Sequence, residues 1–157
     1  MAAQQHILSG QVLVNGTDIW QRYGVFLTEE KKGNRENLTA ILTPSKVKDH
    51  VGVNIRELNG KRYSQSLTVA NQERDVTLHF AQYAATRSEW LQNYMDFIQF
   101  LKTGNNGWLT VAFPDLNLTL RMFYVDSSAY RPLTYLWKEG VQASRYKVRF
   151  REPNPII

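Results

Sequence analysis

The sequence predicts a mainly β fold of the α+β type, about eight strands and one α-helix, and three observations carry that prediction. Residues 87–103 place Trp90, Leu91, Tyr94, Phe97, Ile98 and Leu101 on one wide apolar stripe at helical spacing, opposed by Glu89, Gln92, Asp96 and Gln99. Elsewhere apolar residues recur at period two, as in Val76, Leu78 and Phe80 or Tyr146, Val148 and Phe150, the mark of half-buried strands. Asn-Gly and Pro-containing breaks separate these runs. A lone helix so apolar on one side needs a large surface to cover, and a sheet is the only one this sequence offers.

Taken in order, residues 1–10 form a short polar segment expected to fray or to contact another chain. Gln11–Val14 reads as a strand, Asn15-Gly16 as a two-residue hairpin turn, and Ile19-Trp20 as part of the returning strand. Residues 23–27 continue as a further strand. From Thr28 to Arg62 the pattern weakens into a long loop region with one or two short strands, the apolar run Leu38–Leu42 among them. Loops of that length in a compact domain commonly bind something.

Tyr63–Val69 alternates like a strand, and Arg74–Ala81 does so more clearly. The helix follows, with Thr86 and Glu89 spaced as a capping box, Lys102 in the last turn and Gly104 beyond it. Trp108–Phe113 resumes the β pattern, Leu118–Tyr124 is a long half-buried strand, Ser127–Thr134 a loop, and Tyr135–Lys138 a further short strand. In the last strand Arg145, Lys147, Arg149 and Arg151 share the face opposite Tyr146, Val148 and Phe150, until Pro153 ends it and leaves a short tail at 152–157. The 157 residues carry no repeat or linker that would divide them, so a single domain spanning 1–157 is expected.

The chemistry that would mark an enzyme is missing from the sequence. There is no cysteine, and His6, His50 and His79 have no partner at metal-ligand spacing. No nucleophile elbow, phosphate loop or dinucleotide fingerprint occurs. No catalytic, cofactor-binding or metal site is therefore assigned, no cofactor is expected, and the protein is read as a non-enzyme without a small-molecule substrate. No apolar run approaches the roughly 18 residues of a membrane span, and residues 1–16 lack the apolar core of a signal peptide. The sequons at Asn15, Asn37 and Asn117 are accordingly read as chance matches.

The net charge of +5 mildly favours acidic partners. Its sharpest expression is the last strand, where Arg145, Lys147, Arg149 and Arg151 would project from one face at intervals of about 6.6 Å, a spacing that could follow a phosphate backbone or meet acidic side chains on a neighbouring strand or subunit. Single-strand binding would want aromatics interleaved with that charge, and Tyr146 and Phe150 lie on the other face.

The order of elements resembles a known family. Val14 to Ile19 (Val-Asn-Gly-Thr-Asp-Ile), then Tyr23-Gly24-Val25, a long middle, the strand Arg74–Ala81, the helix ending in Leu101-Lys102-Thr103-Gly104 and the strand Trp108–Phe113 are together similar to the N-terminal domain of siphophage distal tail proteins, within a wider group that includes tail tube proteins. The resemblance covers about residues 11–151. It departs from the family at Leu58 to Arg62, where a Pro-Gly-Arg type of segment is common, and in leaving no room for the second, receptor-side domain that many members carry.

What the resemblance implies is a β-sandwich or open barrel flanked by one helix, assembled as a hexameric ring with other tail proteins at the tail tip or tube. It implies a structural virion protein made in the cytoplasm of a bacterial host. On that reading the segment 28–62, with Lys31, Lys32, Arg35, Lys46 and Lys48, spans the subunit interface together with the N-terminal residues. The alternative is a nucleic-acid-binding β-domain using Arg145, Lys147, Arg149 and Arg151.

Overall fold

The computed structural model describes residues 9–134 and 139–157. Strands β1 (Leu13–Val14) and β2 (Thr17–Asp18) make the expected hairpin. Asn15 and Gly16 both take positive φ, 51° and 82°, the backbone that two-residue hairpin turns with right-handed twist require. Helix α1 (Ile19–Tyr23) leads to β3 (Val25–Leu27), and helix α2 (Glu36–Leu42) follows. After a long excursion come β4 (Arg74–Ala84), helix α3 (Arg87–Thr103), β5 (Leu109–Phe113), β6 (Leu118–Pro132) and β7 (Gln142–Glu152).

The seven strands form one antiparallel sheet in the order β2-β1-β5-β6-β7-β4-β3. Its two edges, β2 and β3, are joined only by α1 and Gly24. Laid flat, seven strands would hold those edges about 29 Å apart at roughly 4.8 Å per strand. The five residues of α1 rise only about 7.5 Å. The sheet must therefore curl until its edges approach, which makes it an open barrel, as the fold class anticipates. The seam is bridged by side chains and loops. Leu27 N donates to Gln11 Oε1 (3.0 Å), tying β3 to the segment that enters β1.

Gly24 turns the chain from α1 into β3. Its φ is +71°, and a Cβ there would lie 2.3 Å from the carbonyl oxygen of Tyr83 on β4, so only glycine lets the two backbones come this close. The central pair β4–β7 runs eleven residues in register, from Arg74 opposite Glu152 to Ala84 opposite Gln142. Along β7, buried residues alternate without a break with half-buried ones, as the sequence pattern requires.

Thr86 caps α3, its hydroxyl accepting from Glu89 N at 3.2 Å. Trp90, Phe97 and Leu101 are buried, and α3 lies across the apolar face of β4, β7 and β6. Phe97 packs edge-on against Phe80 and at a tilt against Tyr23 of α1, and Tyr94 packs edge-on against Tyr146. The core is continuous from β1 and β5 through α3 to β4 and β7.

Several expectations fail in instructive ways. Ile19 and Trp20 begin a helix instead of continuing the hairpin, because Asp18 accepts from Trp20 N and Gly24 stops the turn in the left-handed region. Leu38–Leu42 is helical: Leu38, Ile41 and Leu42 sit at three- and four-residue spacing, but over seven residues that period cannot be told from a strand. Ser127–Thr134 is not a loop up to Pro132; β6 continues there, with its pairing to β7 shifted between Tyr124 and Asp126 and again between Ser128 and Arg131. Tyr63–Val69 joins no strand. The described residues thus hold seven strands, close to the expected eight, and three α-helices where one was expected. The expected strand at 135–138 lies outside the described residues.

Candidate assembly surfaces

Three surfaces could carry a partner, and each is set by how the curled sheet presents its outside and its ends. The first is the outer face of β4, β7 and β6. Register puts Asp75 of β4 opposite Arg151 and Asp126 of β6 opposite Arg149. Arg151 donates through Nε and a terminal nitrogen to the two carboxylate oxygens of Asp75 at 2.8 and 3.3 Å, and Arg149 donates to Asp126 at 2.7 Å. The hydrogen bond from Arg151, then the charges of Arg151 and Arg149, hold the Asp75 carboxyl below its ordinary range against the opposing effect of burial. The same bond raises the Arg151 guanidinium.

Arg145 and Lys147, further along β7, have no ion-pair partner among the described residues. They lie with Arg131 and His79 around a small depression of about 110 Å³ that Glu29 and Glu30 also line. The four-cation ladder is therefore half neutralised by neighbouring strands.

The second surface is an arm. From residue 42 to residue 73 no residue is buried. The segment leaves α2, doubles back on itself and returns to β4. Lys48 N donates to Ala70 O and Gln72 N to Lys46 O, each at 2.7 Å, while Val53 and Arg62 exchange both backbone bonds at 2.8 Å. A turn closed by Leu58 N to Ile55 O, with Gly60 at φ +67°, makes the tip. The root is held firmly. Arg74 donates to Thr43 O at 2.5 Å and pairs with Glu152 at 2.6 Å; both side chains are nearly enclosed. Ser45 bonds to Ile157 O, and Asn71 to Pro155 O.

Among its charged and polar side chains the arm's body exposes a set of aliphatic and aromatic ones. Val51 is 92% exposed, Val53 61% and Val69 64%, with Tyr63 and Leu67 about half exposed. Val51, Val53 and Ile55 fall at period two, as do Tyr63, Leu67 and Val69, so in an extended chain each set shares one side. The alternation that predicts a strand at Tyr63–Val69 is real, and no strand among the described residues pairs with it.

The third surface is a groove of about 400 Å³ at the seam of the open barrel. Leu27, Leu38, Ile41, Phe113 and Leu116 floor it, with Glu29, Arg35 and Asp115 at its rim. Asn37 builds its wall. This buried side chain donates to Thr28 O (2.7 Å) and His79 O (3.2 Å) and accepts from His79 N (2.6 Å), so it completes the β4 edge that β3 leaves uncovered. Glu29 accepts from Gly33 N and Arg35 N and fixes the turn into α2.

The sequence-predicted interface residues separate between these features. Lys31, Lys32 and Arg35 stand exposed in the tight turn before α2, and Lys46 and Lys48 in the root of the arm. Sequence reasoning gave no role to the partners of Asp75 and Asp126, set by strand pairing, or to those of Asn37 and Gln11, which α2 and the segment before β1 bring beside β4 and β3. Among the described residues no group of three or more acidic, histidine or cysteine side chains is placed to hold a metal, and no helix is long and apolar enough to cross a membrane.

The fold is thus that of a mainly β open barrel closed on one face by a long helix, with an arm outside it. No protein-family profile matches the chain, and no curated protein matches it by sequence. Among solved structures it is similar to the SPP1 Dit (gp 19.1) protein, described as a paradigm of the hub adsorption apparatus in phages that infect Gram-positive bacteria. The two share 11% identity with a TM-score of 0.57 over 92% of this chain and 50% of that one. The chain therefore spans half the length of the protein it resembles, and at this identity the likeness is one of fold.

Proposed function

We propose that this chain is a structural, non-enzymatic subunit of a phage or prophage tail, a single-domain hub protein of the distal tail type that assembles with its own copies into a ring, hexameric by resemblance, and with other tail proteins above and below. The observation that carries the reading is the likeness to the SPP1 Dit fold over 92% of the chain. The exposed apolar arm supports it, because a surface of this kind on an isolated subunit calls for a partner. On this reading the segment 28–62, with Lys31, Lys32, Arg35, Lys46 and Lys48, belongs to the subunit interface, and the protein resides in the virion. A tube or other tail-ring component would use the same surfaces.

Negative-stain microscopy with light scattering tests the proposal: rings of uniform diameter and a mass several times the 18.2 kDa subunit are expected. A monomer at every concentration, with no rings in the images, would overturn it. The nucleic-acid reading has less support, since Arg149 and Arg151 are committed to Asp126 and Asp75. It predicts DNA or RNA binding that weakens steeply with salt and is lost when Arg145 and Lys147 become glutamate.

A further inference from the structure

Asparagine followed by glycine occurs three times in the chain, at Asn15-Gly16, Asn59-Gly60 and Asn106-Gly107. Such a pair can react with itself. The glycine nitrogen gives up its proton and attacks the asparagine Cγ, the bond from Cγ to the side-chain nitrogen breaks, and ammonia leaves a five-membered succinimide. Water then opens the ring at one carbonyl to give aspartate or at the other to give isoaspartate. Glycine has no Cβ to hinder the approach. All three pairs share this local chemistry, and the fold treats them differently. At the turn between β1 and β2 the electrophile is held. Asn15 Oδ1 accepts from Thr110 N at 2.8 Å and its Nδ2 donates to Trp108 O at 3.3 Å, so bringing Cγ to Gly16 N would break both bonds and strand the Thr110 N–H. At the turn between α3 and β5 the nucleophile is held. Gly107 N donates to Thr103 O at 2.8 Å, and that carbonyl, at the negative end of α3, opposes loss of the proton.

We propose that Asn59-Gly60, at the tip of the arm, is a self-modification site that converts to aspartate or isoaspartate in the folded protein, while the fold protects Asn15 and Asn106. Both residues of the pair are exposed, and neither the Asn59 carboxamide nor Gly60 N has a hydrogen-bond partner among the described residues. Within four positions of Asn59, Arg56, Lys61 and Arg62 are cationic and only Glu57 is acidic, a balance that eases loss of the Gly60 proton. Water is the one co-reactant and ammonia the one leaving group. The bond from Leu58 N to Ile55 O and the pair exchanged by Val53 and Arg62 involve none of the reacting atoms, so the arm keeps its course when the tip reacts. The product sets a new carboxylate among those cations and lowers the net charge of +5 by one. None of this depends on whether subunits assemble into a ring.

Incubating the folded, full-length chain at mildly alkaline pH and mapping its peptides by mass spectrometry over time tests the proposal. Conversion at Asn59 should run about ten times faster than at Asn15 or Asn106, a difference of roughly 1.4 kcal/mol in barrier. In concentrated urea, where the turns are gone, the three rates should converge. Asn59→Gln, at an exposed position, would have to close a six-membered ring and should keep its starting charge on ion exchange while the parent gains a more acidic species. Equal rates at the three sites in the folded protein, or faster conversion at Asn15 or Asn106, would overturn the proposal. So would an acidic species that accumulates as fast in Asn59→Gln as in the parent. Rates that stay as far apart in urea as in the folded protein would trace the difference to neighbouring residues and remove the fold's protective role.

Discussion

The barrel and the arm are made from similar residues and differ in what those residues touch. In β4 and β7 the alternating side chains Val76, Leu78, Phe80, Tyr146, Val148 and Phe150 are at most 2% exposed. In the arm an equally good alternation, Tyr63, Leu67 and Val69, leaves each at about half exposure or more. Pattern specifies that a segment can be a strand; it does not say whose sheet the segment joins. The barrel satisfies its pattern inside one chain, because β4 finds β7 over eleven pairs and α3 covers the result. The arm's pattern finds no partner strand among the described residues, and its root is fixed while its body is exposed.

If that contrast is right, the largest effect comes from the barrel. Phe97 is fully buried and touches Phe80 and Tyr23 at once, so it joins α3 to the sheet and to α1. Phe97→Ala should cost about 4 kcal/mol, lost transfer energy plus the cavity left behind. Urea unfolding checks it. A cost below about 1 kcal/mol would mean that α3 is peripheral, contrary to its place in the core.

The junction between the two regions comes next. Arg74 and Glu152 are paired with side chains 8% and 3% exposed, and the same guanidinium holds Thr43 O at the arm's root. Glu152→Gln leaves a nearly enclosed cation without its counter-ion and should cost about 3 kcal/mol. It should also speed proteolysis near Thr43 relative to sites in the barrel. Equal protection at Thr43 in both proteins would show that the ion pair steadies β4 and β7 alone.

Much of the barrel was legible in the sequence. Asn15-Gly16 defined the first hairpin, Thr86 and Gly104 bracketed α3, and the alternation of β7 placed its four cations on the face opposite the core. What escaped had tertiary causes. Asp18 and Gly24 bracket a helix too short to show a period, and Asn37 acts as a piece of β-edge only because α2 brings it beside His79. The candidate surfaces were harder still. The neutralisation of Arg149 and Arg151 depends on which acids strand pairing sets opposite them, and the seam groove exists only because the sheet curls. The long middle segment stood out in the sequence as irregular, and its alternating half at Tyr63–Val69 was assigned to the sheet, where no described strand pairs with it.

A smaller effect separates the outer face from the interior. The Asp75 carboxyl is held below its ordinary value by the hydrogen bond from Arg151 and by the charges of Arg151 and Arg149. A carboxyl depressed on folding contributes stability that is fully present above its unfolded value, near 3.9, and is lost as pH falls through the folded value beneath it. Asp75→Asn should therefore be less stable than the parent at neutral pH by less than about 1 kcal/mol, the range of exposed ion pairs. The difference should close as the pH falls below 4, and urea midpoints between pH 2 and pH 7 would measure it. A gap that persists at the acid end would assign the effect to hydrogen-bond geometry instead of charge.

The smallest effect on folding is expected where the sequence looks most strand-like outside the sheet. Val51 is 92% exposed and lies in the part of the arm with nothing over it, so Val51→Asp removes no contact of the isolated subunit. Its urea midpoint should match the parent within the roughly 0.5 kcal/mol typical of surface changes. Self-association is where the change should register. A carboxylate placed among the aliphatics of a surface that becomes dry on assembly would have to be desolvated without a partner. Sedimentation at matched concentrations should then show the variant monomeric where the parent is oligomeric. A variant that unfolds more readily would place Val51 in the barrel's energetics. One that assembles as well as the parent would leave the arm's apolar row as ordinary solvent-facing surface and move the interface elsewhere on the subunit.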